Sequence, residues 1–161
     1  MRVREVMTSD PVCCLSTDTA QKVAQLLREE NVGALPVIAD NQSLKLIGMI
    51  TDRDICMAGA MRNQSLSQIS VEEIMNKRVF AAELDEHIDH ALQTMREHQI
   101  RRLPVLDAEG ELSGIVSMND IVLHAKARNG KKPAIDYADV VKTYQAICSH
   151  PVPMVQEAAA K

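Results

Sequence analysis

Aromatic side chains are nearly missing from this sequence: Phe80, Tyr137 and Tyr144 are the whole set, 2% of 161 residues, and there is no tryptophan. Proteins that hold single-stranded nucleic acid stack its bases on aromatic platforms, so that class loses its main instrument. Any planar ring bound here must lie between aliphatic walls. Positive charge is not in excess either. The formal balance of −4 at pH 7 argues against a general nucleic-acid binder, because neutralising a phosphate backbone takes clustered Lys and Arg. No apolar run approaches the roughly 18 residues that a membrane span requires, and none follows Met1-Arg2-Val3-Arg4-Glu5 as in a leader. Cysteine is sparse and unpatterned. Cys13, Cys14, Cys56 and Cys148 show no Cys-x-x-Cys spacing, and the adjacent pair falls on opposite faces of a strand. They read as reduced, small core residues of a soluble, cytoplasmic protein.

What is present is an ordinary globular share of hydrophobic residues, 46%, arranged in a repeat. A shift of 68 positions places Val3-Arg4-Glu5-Val6-Met7 on Val71-Glu72-Glu73-Ile74-Met75, and Leu35-Pro36-Val37-Ile38 on Leu103-Pro104-Val105-Leu106. The same shift carries Ala20, Val23, Ala24 and Leu27 onto Ile88, Ala91, Leu92 and Met95, preserving the spacing of a helix with one buried face. After a two-residue length change in the loop around Asp40 to Lys45 the shift becomes 66, and Gly48-Met49-Ile50-Thr51-Asp52-Arg53-Asp54-Ile55 falls on Gly114-Ile115-Val116-Ser117-Met118-Asn119-Asp120-Ile121. A length change confined to a surface turn is what a duplication tolerates.

Each copy therefore reads as a lead-in Met segment, a short strand (Val12 to Leu15, or Phe80 to Leu84) and a helix (Thr19 to Glu30, or His87 to His98). A hairpin follows (Ala34 to Ile38 with Leu46 to Ile50, or Arg102 to Leu106 with Leu112 to Val116), turning at Asp40-Asn41 or Asp107-Ala108-Glu109-Gly110. A closing helix starts near Asp52 or Met118, with Ile55, Met57, Ile121, Val122 and Ala125 as its apolar residues. The nine methionines, Met7 and Met75 among them, read as adaptable core filler. Neither copy alone offers a sufficient core, so residues 1–62 and 63–128 are expected to pack as a pair. Residues 129–161 form an appendage: a turn at Gly130-Lys131-Lys132-Pro133, a helix from Asp136 to Cys148, and a poorly ordered tail from His150 to Lys161. Tyr137, Val140, Val141, Tyr144, Ile147 and Cys148 give that helix an apolar stripe that wants a partner surface.

The doubled Leu-Pro-Val strand followed by Gly-x-x-[Thr/Ser]-x-x-Asp resembles the CBS-domain pair, or Bateman module, over about residues 1 to 128. The resemblance implies an α/β fold of two β-α-β-β-α motifs packed with pseudo-two-fold symmetry, and association of two pairs into a disc-like homodimer. It implies adenosine-type ligands, namely AMP, ADP, ATP, NAD or S-adenosylmethionine, and no catalytic cofactor. Thr51 and Asp54 would be the ribose and phosphate ligands of one pocket, facing Phe80-Ala81 and Ile100-Arg101-Arg102. Ser117 and Asp120 would serve the other, facing Val12-Cys13 and Val32-Gly33-Ala34.

These residue types suit the chemistry. An ionised Asp is acceptor-only and can take both hydroxyls of a ribose. A hydroxyl beside free N–H groups at a helix start is a natural phosphate anchor. Gly48 and Gly114 would leave room for the ligand. Adenine would lie against Val12, Val32, Ala34 and Pro36, or against Phe80, Ile100 and Pro104. Because Arg101 and Arg102 replace Gly33 and Ala34, and Arg53 replaces Asn119, the Thr51/Asp54 pocket is expected to prefer more phosphate.

Other chemistries find less support. His87 and His90 near Asp85 and Asp89 fit the polar face of an amphipathic helix better than a metal site. No positioned base, nucleophile or metal constellation suggests an enzyme. The reading that results is a regulatory adenine-nucleotide sensor signalling to an unknown protein partner by conformational change. Its alternative is a structural or interaction module with unoccupied pockets, acting through the C-terminal helix.

Overall fold

Alternation of short β-branched runs with amphipathic stretches resolves into two small sheets flanked by helices. The computed structural model describes residues 1–127, 130 and 133–149. In the first repeat, β1 (Thr8–Ser9) and β2 (Cys14–Leu15) precede α1 (Ala20–Glu29), β3 (Ala34–Ile38), β4 (Leu46–Thr51) and α2 (Asp52–Met61). In the second, the short helix α3 (Val71–Ile74) precedes β5 (Ala82–Glu83), α4 (Ile88–His98), β6 (Arg102–Leu106), β7 (Leu112–Ser117) and α5 (Met118–His124). Helix α6 (Tyr137–Cys148) follows. The expected tail from His150, and the centre of the Gly130-Lys131-Lys132-Pro133 turn, lie outside the described residues.

One sheet has the order β2-β3-β4 and the other β1-β7-β6-β5. In each, a parallel pair (β2 with β3, β5 with β6) is bridged by a helix, and an antiparallel hairpin completes the motif. Asp40 and Asp107 make the hairpin turns by accepting backbone N–H bonds, from Gln42 and Ser43 and from Glu109 and Glu111. The first strand of each motif is shorter than expected. Val12 and Phe80 precede the paired residues, so pairing begins only at Cys14 and Ala82.

The lead-in segments do not stay with the motifs they introduce. Val3 N–H donates to Glu86 O (3.1 Å), Arg4 N–H to Leu84 O (3.2 Å), and Met1 O accepts from Ile88 N–H (3.2 Å). At the equivalent places, Val71 N–H donates to Asp18 O (2.9 Å), Glu72 N–H to Ser16 O (3.0 Å), and Ile69 O accepts from Ala20 N–H (2.9 Å). Each arm thus binds the other copy. Val3 and Val6 are buried in the second motif's core with Ile88, Leu92, Leu103 and Ile121. Ile69 and Val71 are buried in the first motif's core with Val23, Val37, Ile50 and Ile55. The expected pairing of the copies is therefore an exchange, which also adds β1 to β7 (Thr8 opposite Ile115) and bridges Met49 to Asn76.

The exchange accounts for the paired glycines, and corrects their reading as space for a ligand. A Cβ on Gly48 would lie 2.7 Å from Met75 Sδ, and one on Gly114 would lie 3.0 Å from Thr8 O and against Met7 Sδ. The space belongs to the crossing arm.

Helix α6 finds its partner within the chain. Val140, Thr143 and Ile147 are buried, the first and last in the second motif's core. Arg96 donates to Thr143 Oγ1 (2.9 Å), and Gln99 Nε2 donates to Ala146 O and Ser149 O. The buried face is narrower than the expected stripe: Thr143 belongs to it, while Tyr137, Val141 and Cys148 are exposed. On the closing helices, Met57 and Val122 are exposed rather than buried.

Candidate functional site

Both strand-to-helix corners are built alike. Thr51 and Ser117, the last residues of β4 and β7, share the backbone angles φ −121° and ψ 162° and cap α2 and α5. Thr51 N–H and Oγ1 donate to Asp54 Oδ2 (2.9 and 2.7 Å), and Asp54 N–H returns a bond to Thr51 Oγ1 (3.2 Å). Ser117 and Asp120 repeat this at 2.8, 2.6 and 3.4 Å. These are capping boxes, and they stabilise each helix start. They also divide the carboxylate's work. Oδ2 is committed to the corner, while Oδ1 makes no hydrogen bond among the described residues. One oxygen is left to accept from an incoming hydroxyl.

A cleft of about 820 Å³ opens beside the first corner, and one of about 400 Å³ beside the second. Thr51, Arg53 and Asp54 line the larger cleft together with Phe80, Ile100, Arg101, Arg102 and Pro104 of the other motif. Ser117 and Asp120 line the smaller one with Val12, Val32, Gly33, Ala34 and Pro36. Two of the candidate residues, Cys13 and Ala81, are not in these walls. They hold the same place in the repeat, one residue beyond Val12 and Phe80, where side chains of extended backbone point the other way. Cys13 is half-buried with its thiol on Pro11 O, and burial pushes that thiol up to about 11. Its neighbour Cys14 is pushed up to about 12, by burial first and then by the Asp18 carboxylate.

The walls also contain residues that motif reasoning did not select. Asn76, Arg78, Val79, His98 and Gln99 line the larger cleft; Thr8, Asp10, Pro11 and Asn31 line the smaller. Asn31 and Gln99 end α1 and α4 at positive φ, 52° and 53°, a tight turn that delivers Val32 and Ile100 to the walls. His98 stacks on Phe80 with ring centroids 3.5 Å apart, and Arg78 lies 5.4 Å from the Phe80 ring centre. Among the described residues, no three His, Cys, Asp or Glu side chains come together as a metal ion would require. No helix there is long and apolar enough to cross a membrane.

This architecture can be compared with known proteins. The family model for the CBS domain matches the chain twice, over residues 3–60 and 71–126. The chain belongs to the CBS-domain family. Hypoxic response protein 1 of Mycobacterium tuberculosis is 32% identical over 146 residues, which cover 91% of this chain and 93% of that protein. Among solved structures, the CBS-domain pair of protein MJ0100, in complex with 5-methylthioadenosine and S-adenosyl-L-methionine, superposes with a TM-score of 0.67 at 31% identity. That match covers 76% of this chain and 94% of the other. The CBS-domain protein PAE2072 from Pyrobaculum aerophilum, complexed with AMP, gives a TM-score of 0.69 at 28% identity, over 75% of this chain and 90% of that one.

The two clefts of this CBS pair differ sharply in charge. Arg53, Arg78, Arg101 and Arg102 face the larger one against Asp54 and Glu97. In the smaller, Arg102 is the one cation among the described residues, and it faces Asp10, Glu30 and Asp120. None of these arginines makes an ion pair among the described residues. Arg78 against Asp10 is the substitution that sequence reasoning passed over; the 68-residue repeat places them in register.

Proposed function

We propose that this CBS pair is a non-catalytic regulatory module whose clefts bind adenosine-type ligands. AMP, ADP, ATP, NAD and S-adenosylmethionine are the candidates. One observation carries the reading: twice, a capping Asp keeps one oxygen free at the mouth of a cleft whose opposite wall belongs to the other motif and offers apolar side chains, Phe80, Ile100 and Pro104 or Val12, Val32 and Pro36. That oxygen accepts a ribose hydroxyl, the N-terminal amides of α2 or α5 face the phosphate, and Val12, Val32, Ile100 and the prolines sandwich the base. The complexes of related CBS proteins with AMP and with S-adenosyl-L-methionine support it. The arginines favour the more highly phosphorylated ligands in the larger cleft.

A ligand closing both walls stabilises one arrangement of the motifs, and a partner that reads that arrangement receives the signal. Homodimerisation is part of the reading. Met57 and Leu123 occupy the same place in the repeat, on α2 and α5, and both are exposed, Leu123 at 82%. Paired Met57→Glu and Leu123→Glu substitutions are expected to convert dimer to monomer in analytical ultracentrifugation. Four free thiols suit the reducing cytoplasm. The C-terminal helix has committed Val140 and Ile147 to the chain's own core and leaves only Tyr137, Val141 and Cys148 of its stripe exposed, which weakens the interaction-module alternative.

Thermal-shift titration with the five candidates tests the proposal. Ligand at 100 times its Kd adds about 2.7 kcal/mol. That corresponds to roughly 5–10 °C in Tm for a chain of this size. Asp54→Asn with Asp120→Asn should abolish the shift. A folded protein that ignores every adenine compound at millimolar concentration overturns the reading.

A further inference from the structure

Only two of the described residues line both clefts, Ala34 and Arg102. They are the same position in the two copies, 68 residues apart, and each stands where the two clefts adjoin. One carries a methyl group and the other a guanidinium. Arg102 is paired across the sheet with Ser117, the hydroxyl of the smaller cleft. Its head extends toward Gly33 in that cleft's wall, where an added Cβ would lie 3.3 Å from Arg102 Nη2. Yet it also lines the larger cleft beside Arg101. The Asp52 carboxylate reaches the same place beside Gly33, its Oδ2 3.2 Å from that added Cβ, but among the described residues Arg102 makes no ion pair.

The geometry points to Arg102 as a shared phosphate ligand that couples the two clefts. This inference rests on the clefts being adenosine sites. One guanidinium carries a single positive charge, so the charge it spends on a phosphate in one cleft is not there to offset a phosphate in the other. A phosphorylated ligand in the larger cleft, already favoured by Arg53, Arg78 and Arg101, draws Arg102 to itself. Among the described residues the smaller cleft is then left with Asp10, Glu30 and Asp120 and no cation. It rejects a second anionic nucleotide and still accepts an adenosine derivative without phosphate. The pair therefore sorts its ligands: a nucleotide on one side, an uncharged or cationic nucleoside on the other. By linkage, the effect is the same read from either cleft.

Calorimetry with AMP and with adenosine tests this. Asp120→Asn and Asp54→Asn variants give the affinity of each cleft alone. In the unmodified protein the second AMP should bind at least tenfold more weakly than those constants require, while adenosine should fill both clefts as if they were independent. In Arg102→Ala, which installs the side chain of the symmetric position, the AMP penalty should vanish; Arg102→Lys should retain part of it. Far-ultraviolet circular dichroism checks folding, and Arg102→Met replaces Arg102→Ala if the latter does not fold. Independent AMP sites in the unmodified protein, or a penalty that survives loss of Arg102, overturn the coupling and leave the adenosine reading intact. Absence of heat with either compound in folded protein overturns both.

Discussion

The closeness of the crossing arm to Gly114 gives a prediction whose sign is informative. An alanine replacing a strand glycine without conflict gains about 0.4–1 kcal/mol by restricting the unfolded chain. At Gly114 the new methyl would lie 3.0 Å from Thr8 O and 3.1 Å from Met7 Cε. Thr8 is held opposite Ile115 by the β1–β7 pairing, so its carbonyl cannot yield as a side chain can. Overpacking of this kind costs about 1–3 kcal/mol, which leaves a net loss of roughly 1–2 kcal/mol for Gly114→Ala. For a chain of this length that is a fall of roughly 2–8 °C in Tm. Gly48→Ala should cost less, because its nearest backbone atom, Asn76 O, is 3.3 Å away and its closer neighbour is the Met75 thioether. Adding Met7→Ala separates the terms. If the thioether were the whole obstacle, the double variant would be no less stable than Met7→Ala alone. Urea unfolding of the four variants measures this. Unchanged or raised stability in Gly114→Ala would refute the packing argument, and lost ligand affinity at unchanged stability would return the glycine's space to the ligand.

Asp54→Ala removes a reciprocal cap and should cost about 1 kcal/mol in urea unfolding, whereas Asp54→Asn keeps an acceptor for Thr51 and should stay within about 0.5 kcal/mol. Iodoacetamide at pH 8 should modify exposed Cys56 and Cys148 well before Cys13 and Cys14, whose thiols lie near 11 and 12; mass spectrometry should show Cys13 labelling rise as the pH approaches 11. Thr143→Val leaves the Arg96 guanidinium without its acceptor and should cost about 1–3 kcal/mol, with Thr143→Ser restoring most of it. Burial, more than any neighbour, raises the Glu86 carboxyl above its ordinary 4.5, so the fold favours its protonated form. Its contribution is present below that ordinary value and lost as the pH rises through the raised one; Glu86→Gln should flatten that slope in Tm against pH.

The repeat made much of the fold legible. The offset of 68 aligned α1 with α4 and β3 with β6 because a buried helix face and a Leu-Pro-Val strand carry strong local patterns. The destination of Val3 and Val6 was not legible: the segment resembles Val71 to Met75 closely, but nothing local says which sheet it joins. Thr51, Asp54, Ser117 and Asp120 were visible as a repeated motif. Their mutual capping was not deduced, although Thr-x-x-Asp spacing carries that signal. Arg78 and Asp10 were overlooked because they precede the paired strand residues and carry no motif of their own. Thr143 was missed because a polar residue on an amphipathic helix is assigned to water unless its partner, here Arg96, is known.

A single motif of this design would be an incomplete protein. Its core has a vacancy shaped for two apolar side chains, and its own N-terminal residues fit only the vacancy in someone else. Two separate copies could meet that need by trading arms, as swapped dimers do. Fusion in tandem makes the trade permanent and ties the opening of either half to the other, since an arm cannot leave one core without also tugging on the corner it leads into.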